Sequence, residues 1–114
     1  MQITERHIDS LTILAPNGRM TRDDGYGSIK QRVGTLLGNS HQQLLLNLKH
    51  VPYVDSTSVG DLVSAFITVR NPGGVLKLVG PTPRTAELLS VAKLDTVFEV
   101  YESKTDAVQS FSSP

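Results

Sequence analysis

Leu44-Leu45-Leu46-Asn47-Leu48, the link Lys49-His50-Val51-Pro52-Tyr53-Val54, the polar knot Asp55-Ser56-Thr57-Ser58 and the stripe Val59, Leu62, Val63, Phe66 and Ile67 follow one another without interruption. Read in order, they are a strand that hands over to a helix. A continuous apolar run as long as Leu44 to Leu48 suits a central strand covered on both faces. The stripe that begins at Val59 recurs at helical spacing and marks one buried helix face. Between them, three hydroxyls follow a carboxylate, and Gly60-Asp61 lies just inside the helix. First-turn amides of a helix have no backbone partners, so one of Asp55, Ser56, Thr57 or Ser58 is expected to cap them. Ser58 and Asp61 also stand at near-capping-box spacing. Capping occupies one or two of these polar groups and leaves hydroxyls to spare.

Downstream, Asn71-Pro72-Gly73-Gly74 stops the helix and Val75 to Val79 reads as another strand. Thr82-Pro83 is an N-cap followed by proline at the first helical position, and Ala86, Leu88, Leu89 and Ala92 fill that helix. Val97 to Tyr101 reads as a short strand. Ser103 to Asp106 resembles a capping box with Asp in place of Glu, and Ala107, Val108 and Phe111 continue a last helix. Upstream, Thr4 to Ile8 and Leu11 to Ala15 are two short strands turned by Asp9-Ser10. Asn17-Gly18 signals a turn, and Arg19 to Gly27 is polar. Ile29, Val33, Leu36 and Leu37 form a helix that Gly38-Asn39 is expected to end. The order β-β-α-β-α-β-α-β-α is an α/β pattern with parallel neighbours and right-handed crossovers. It fills residues 1–111 as a single domain, and Ser112-Ser113-Pro114 is expected to fray.

Composition narrows the function classes. Eleven Lys plus Arg balance eleven Asp plus Glu, so no field of either sign draws nucleic acid or anionic lipid. Cysteine is absent, which removes disulfides, thiol nucleophiles and thiolate metal sites together. Trp is absent too, with three Tyr and three Phe, too few for a stacking platform. There is no apolar run of about 18 residues to span a bilayer. Met1-Gln2-Ile3-Thr4-Glu5-Arg6 lacks the basic start and apolar stretch of a signal peptide. The expectation is a cytoplasmic protein without direct membrane contact.

Catalytic patterns are missing as well. There is no GxGxxG and no GxxxxGK[ST]. Gly73-Gly74 precedes a strand, so it is a turn and not a phosphate cradle. His7, His41 and His50 are scattered, and a triad or metal site would need the fold to bring two together. The reading is a non-enzymatic chain with no cofactor and no metal. The knot differs. A hydroxyl at a helix N-terminus can carry a phosphate where amides and the helix dipole favour negative charge. Phosphorylation there adds about two negative charges to a neutral surface and repels a partner packed on it.

With the knot in place, the chain resembles STAS domains, above all the bacterial anti-sigma-factor antagonists. The resemblance centres on Leu46 to Leu62, where the family shows a hydrophobic strand, a short link, Asp-Ser-Ser/Thr-Gly-Leu and a helix. It is supported by Gly73 to Gly80, by Leu94 to Tyr101 and by the spacing to Ala107 and Phe111. It implies a mixed, mainly parallel sheet of about five strands with about four helices on one side. It further implies an antagonist that binds an anti-sigma serine kinase while unphosphorylated, is released on phosphorylation, and is reset by a PP2C-type phosphatase. By position, Ser56 is the phosphoacceptor and Thr57 the second choice. Asp55 is expected to orient the hydroxyl or contact the kinase, and Ser58, Val59 and Gly60 to form the docking rim. Ser58 stands where the family usually has Gly, and Asn47 where Asp is common. Gly18-Arg19-Met20-Thr21 matches a Gly-x-Leu-Asp segment except that Thr21 replaces its Asp. Thr21, Asp23 and Asp24 are therefore the expected phosphosite neighbourhood. The alternative within the family is a scaffold that is never phosphorylated, in a stressosome-like complex or a lipid transporter.

Overall fold

The computed structural model describes residues 2–112. Strands β1 (Gln2–Ile8), β2 (Leu11–Asn17), β3 (Gln43–Asn47), β4 (Val75–Val79) and β5 (Val100–Tyr101) form one sheet in the order β1-β2-β3-β4-β5. β1 and β2 are an antiparallel hairpin, turned at Asp9 with φ 55°. The remaining pairs are parallel. Helices α1 (Ser28–Gly38), α2 (Ser56–Arg70) and α3 (Pro83–Val91) make the three crossovers, and α4 (Lys104–Ser112) follows the last strand. Ser112 thus ends a helix instead of opening a frayed tail; Ser113 and Pro114 lie outside the described residues.

Side-chain alternation divides the chain into two layers of core. Leu14, Leu44, Leu46, Leu76 and Leu78 face Ile29 and Val33 of α1, Leu62, Ala65 and Val69 of α2, and Leu89 of α3. Each crossover steps one strand further in the same direction. Crossovers that share a hand and a direction fall on the same face. α4 makes no crossover and is free of that constraint. It covers the opposite face, where Ile13, Leu45 and Val79 meet Ala107, Val108 and Phe111. The expectation of four helices on one side therefore holds for α1 to α3 and fails for α4. Leu45 is fully buried because it has this second cover.

One polar residue sits within the second layer. Lys77 of β4 is 8% exposed; its Nζ donates to Ser110 Oγ at 3.0 Å and lies 4.6 Å from the Phe111 ring centre. Its aliphatic stem supplies the packing while the ammonium pins α4 to the sheet.

Helix ends follow local chemistry with two adjustments. Thr82 and Ser103 cap α3 and α4 through Thr85 N at 3.4 Å and Asp106 N at 3.3 Å, as their spacing predicts. α1 runs through Gly38, and its left-handed residue is Ser40, φ 68°. Ser40 N donates to Leu37 O and His41 N to Leu36 O, a Schellman pair displaced past the expected glycine. At the other end of the chain, the expected strand from Val97 to Tyr101 shortens to β5. A 3-10 turn over Leu94–Thr96 precedes it and buries Phe98 edge-on against Phe66, at 4.9 Å.

Candidate functional site

The link from Leu48 to Asp55 lies beside the segment that leaves β2. Gly18 N donates to His50 O at 3.0 Å, Met20 N to Tyr53 O at 2.8 Å, and Asp55 N to Met20 O at 3.0 Å. Met20 and Val54 form a parallel bridge and both are buried. This short backbone zipper brings Arg19 to Asp24 against the start of α2, which sequence distance alone does not reveal.

Asp55 is the N-cap of α2. Oδ1 accepts from Ser58 N at 2.8 Å, and Oδ2 accepts from Arg22 N at 2.8 Å. The amides of Arg22 and then Ser58 hold its carboxyl below the ordinary value of 3.8. Both oxygens are committed to backbone, so Asp55 builds the site and is unsuited to taking a proton. Because Asp55 does the capping, the hydroxyls of Ser56 and Thr57 are left exposed, with no hydrogen bond among the described residues.

Ser58 and Val59 turn inward, with exposures of 1% and 9%. They do not form the expected docking rim, because the third and fourth residues of α2 face the sheet. Ser56, Thr57 and Gly60 remain on the surface. The Ser58 Oγ is buried without a partner in hydrogen-bond geometry, though it lies close enough to Asp55 to help hold that carboxyl ionised.

Asp61 corrects a second expectation. It does not reach back along its own helix to complete a capping box with Ser58. Its Oδ2 accepts from Gly27 N at 3.0 Å, and the amides of Ile29 and Lys30 also face it. α1 has a left-handed Gly27 as N-cap and no side-chain cap of its own. Asp61 supplies that cap from α2. Burial pushes its carboxyl above 3.8, and the three amides oppose the shift.

Of the expected neighbourhood, Thr21 is half-buried and Asp23 and Asp24 are exposed. Thr21 and Asp24 exchange backbone hydrogen bonds at 2.9 and 3.0 Å. The segment thus reaches the knot through the Arg22 amide and the Met20 carbonyl.

A cleft of about 330 Å³ opens beside Ser56, between the start of α2 and α3. Tyr53, Val54, Asp55, Arg84, Leu88 and Val91 line it with Ser56, and Glu87 stands on its wall. The Arg84 guanidinium lies 4.4 Å from the Tyr53 ring centre, and that of Arg19 lies 5.4 Å from it. Sequence reading missed Tyr53, Arg84 and Arg19 as members of the site and gave Asp61 a partner on its own helix. Each gains its role from a residue distant in the chain. Among the described residues, no group of three or more His, Asp or Glu could hold a metal, and no helix is long and apolar enough to cross a membrane.

Comparison with known proteins agrees with this geometry. The STAS domain family model matches residues 3–107. A Thermotoga neapolitana protein named as an anti-sigma factor antagonist is 28% identical over 102 residues, which cover 90% of each chain. The anti-sigma-B factor antagonist of Bacillus subtilis is 32% identical over 73 residues, 64% of this chain and 67% of that one. The crystal structure of a Thermotoga maritima protein, also named as an anti-sigma factor antagonist, superposes with a TM-score of 0.87 at 25% identity. It covers 95% of this chain and 92% of its own.

Proposed function

The chain belongs to the STAS domain family, and from that premise we propose that it is an anti-sigma-factor antagonist switched by phosphorylation of Ser56. In this reading it binds an anti-sigma serine kinase while Ser56 is unmodified and leaves it once Ser56 carries phosphate. A PP2C-type phosphatase returns it to the binding state. The names of the similar proteins support the antagonist role. One observation supports the switch: the Ser56 hydroxyl is exposed at the first turn of α2 and relieved of capping by Asp55.

The chemistry follows from that position. Ser56 Oγ takes the γ-phosphoryl group of the kinase's ATP, ADP leaves, and the hydroxyl proton passes to a base. Asp55 is a poor base because both its oxygens accept amides, so the kinase brings the base. The new phosphate adds about −1.5 to −2 charge at a helix terminus whose dipole accommodates it. α2 stays folded while its surface changes sign. The protein acts by binding and not by catalysis, in the cytoplasm.

Incubation with the cognate kinase and ATP, followed by mass spectrometry, should place one phosphate on Ser56. Ser56→Ala should bind the kinase whether or not ATP is present. Ser56→Asp should bind at least about tenfold more weakly, roughly 1.4 kcal/mol. Equal affinities for the two variants would overturn the electrostatic switch. The alternative, a scaffold in a stressosome-like complex or a lipid transporter, is favoured by Thr21 in place of Asp and by the backbone-only contact of its segment with Asp55. It predicts a stable large assembly in light scattering that ATP leaves unchanged.

A further inference from the structure

We propose that Arg84, assisted by Arg19, receives the phosphate carried by Ser56, so that the phosphorylated chain closes its own cleft between α2 and α3. This rests on Ser56 being the acceptor and adds how the modified state differs from the unmodified one.

Two guanidiniums share the single ring of Tyr53, at 4.4 and 5.4 Å. Like charges drawn to one ring repel each other, and the ring quadrupole offsets this only in part. Neither arginine makes an ion pair among the described residues. The carboxylates facing the cleft form no ion pair with them. Asp55 is occupied by amides, and Glu87, one turn beyond Arg84 on α3, makes no ion pair with it. The cleft therefore holds an arginine with no ion-pair partner among the described residues, with Ser56 on the same lining as the carboxylates of Asp55 and Glu87.

A phosphate monoester is the anion this arrangement suits. Its oxygens match the planar fork of a guanidinium. Arg84 is exposed, and its long stem can pivot from the Tyr53 face to the neighbouring Ser56. The pair so formed would roof the apolar part of the cleft, Val54, Leu88 and the 76%-exposed Val91. A partner side chain seated there would lose its place by occlusion as well as by repulsion.

The test places phosphoserine at position 56 during synthesis, so that no kinase is needed, and follows its second ionisation by phosphorus NMR. Asp55 and Glu87 raise that ionisation and the arginines lower it. The wild-type chain should titrate below the value of about 6 for an unpaired phosphate. Arg84→Gln should raise the midpoint by about one unit, and Arg84→Lys, which keeps the charge, should recover more than half of the difference. An unchanged amide spectrum would show that the exposed substitutions leave the fold intact. A midpoint in Arg84→Gln equal to wild type would overturn the proposal. A kinase that fails to modify Ser56 would instead sink the switch reading and leave this measurement as it stands.

Discussion

Asp55 and Asp61 sit within two turns of α2 and use a carboxylate in opposite ways. Asp55 is pulled down by the amides of Arg22 and Ser58. Its contribution to stability is present above 3.8 and is lost as pH falls through its folded value. Asp61 is pushed up by burial, so its contribution is complete below 3.8 and fades as pH rises through its folded value. In urea titrations across the acid range, Asp55→Asn should flatten the loss of stability below 3.8. Asp61→Asn should flatten the slope just above it. Exchanged effects would show that the two roles have been misassigned. Ser58 offers a separate measurement. Its buried hydroxyl lacks a hydrogen-bond partner, and an unpaired buried polar group costs about 1–3 kcal/mol. Ser58→Ala should therefore raise stability by about 1 kcal/mol in urea unfolding, and a loss instead would mean that the contact with Asp55 matters more. That one residue of the knot caps α2 was legible in the sequence, and the structure shows that it is Asp55. The role of Asp61 was not legible, because the amides it serves lie on another helix.

Helix ends show where local chemistry suffices. α3 and α4 begin at Thr82 and Ser103 as their motifs predict, because an N-cap involves residues only three apart. The C-terminus of α1 departs from its motif. The Schellman pair needs one left-handed residue, and the helix runs far enough to put Ser40 there, φ 68°, with Gly38 still helical. An L-residue in that region costs roughly 1–2 kcal/mol. Ser40 is exposed, so Ser40→Gly should gain about 1 kcal/mol, read as a higher thermal midpoint; no gain would mean the serine side chain compensates. The Gly73-Gly74 turn after α2 has a packing reason beyond its turn chemistry. A Cβ on Gly74 would stand 2.8 Å from the carbonyl oxygens of Gln42 and Val69, because the chain passes tightly under α2 into β4.

The molecule as a whole is a sheet with unequal covers. Three crossover helices protect one face, and α4 alone protects Ile13, Leu45 and Val79 on the other. A chain ending at Ser103 should expose that face, bind a hydrophobic dye and scatter light, because an uncovered apolar sheet face is an association site. A soluble, dye-silent truncation would show that α4 is dispensable. The run Leu44-Leu45-Leu46 already called for cover on both sides, which one-sided helices could not supply; α4 meets that requirement.

The amino-acid sequence by itself determined the element order, the mainly parallel sheet that follows from it, the capped start of α2 and the surplus of hydroxyls there, among which only the family resemblance singled out Ser56. All of these depend on residues a few positions apart, where periodicity, turn chemistry and capping act. Only the tertiary structure decided that Ser58 and Val59 face inward, that Asp61 caps a different helix, that α4 takes the second face, and that Tyr53 gathers Arg19 and Arg84 beside Ser56. These depend on which distant segments pack together, and that is set by burying the two faces of the sheet rather than by any local preference.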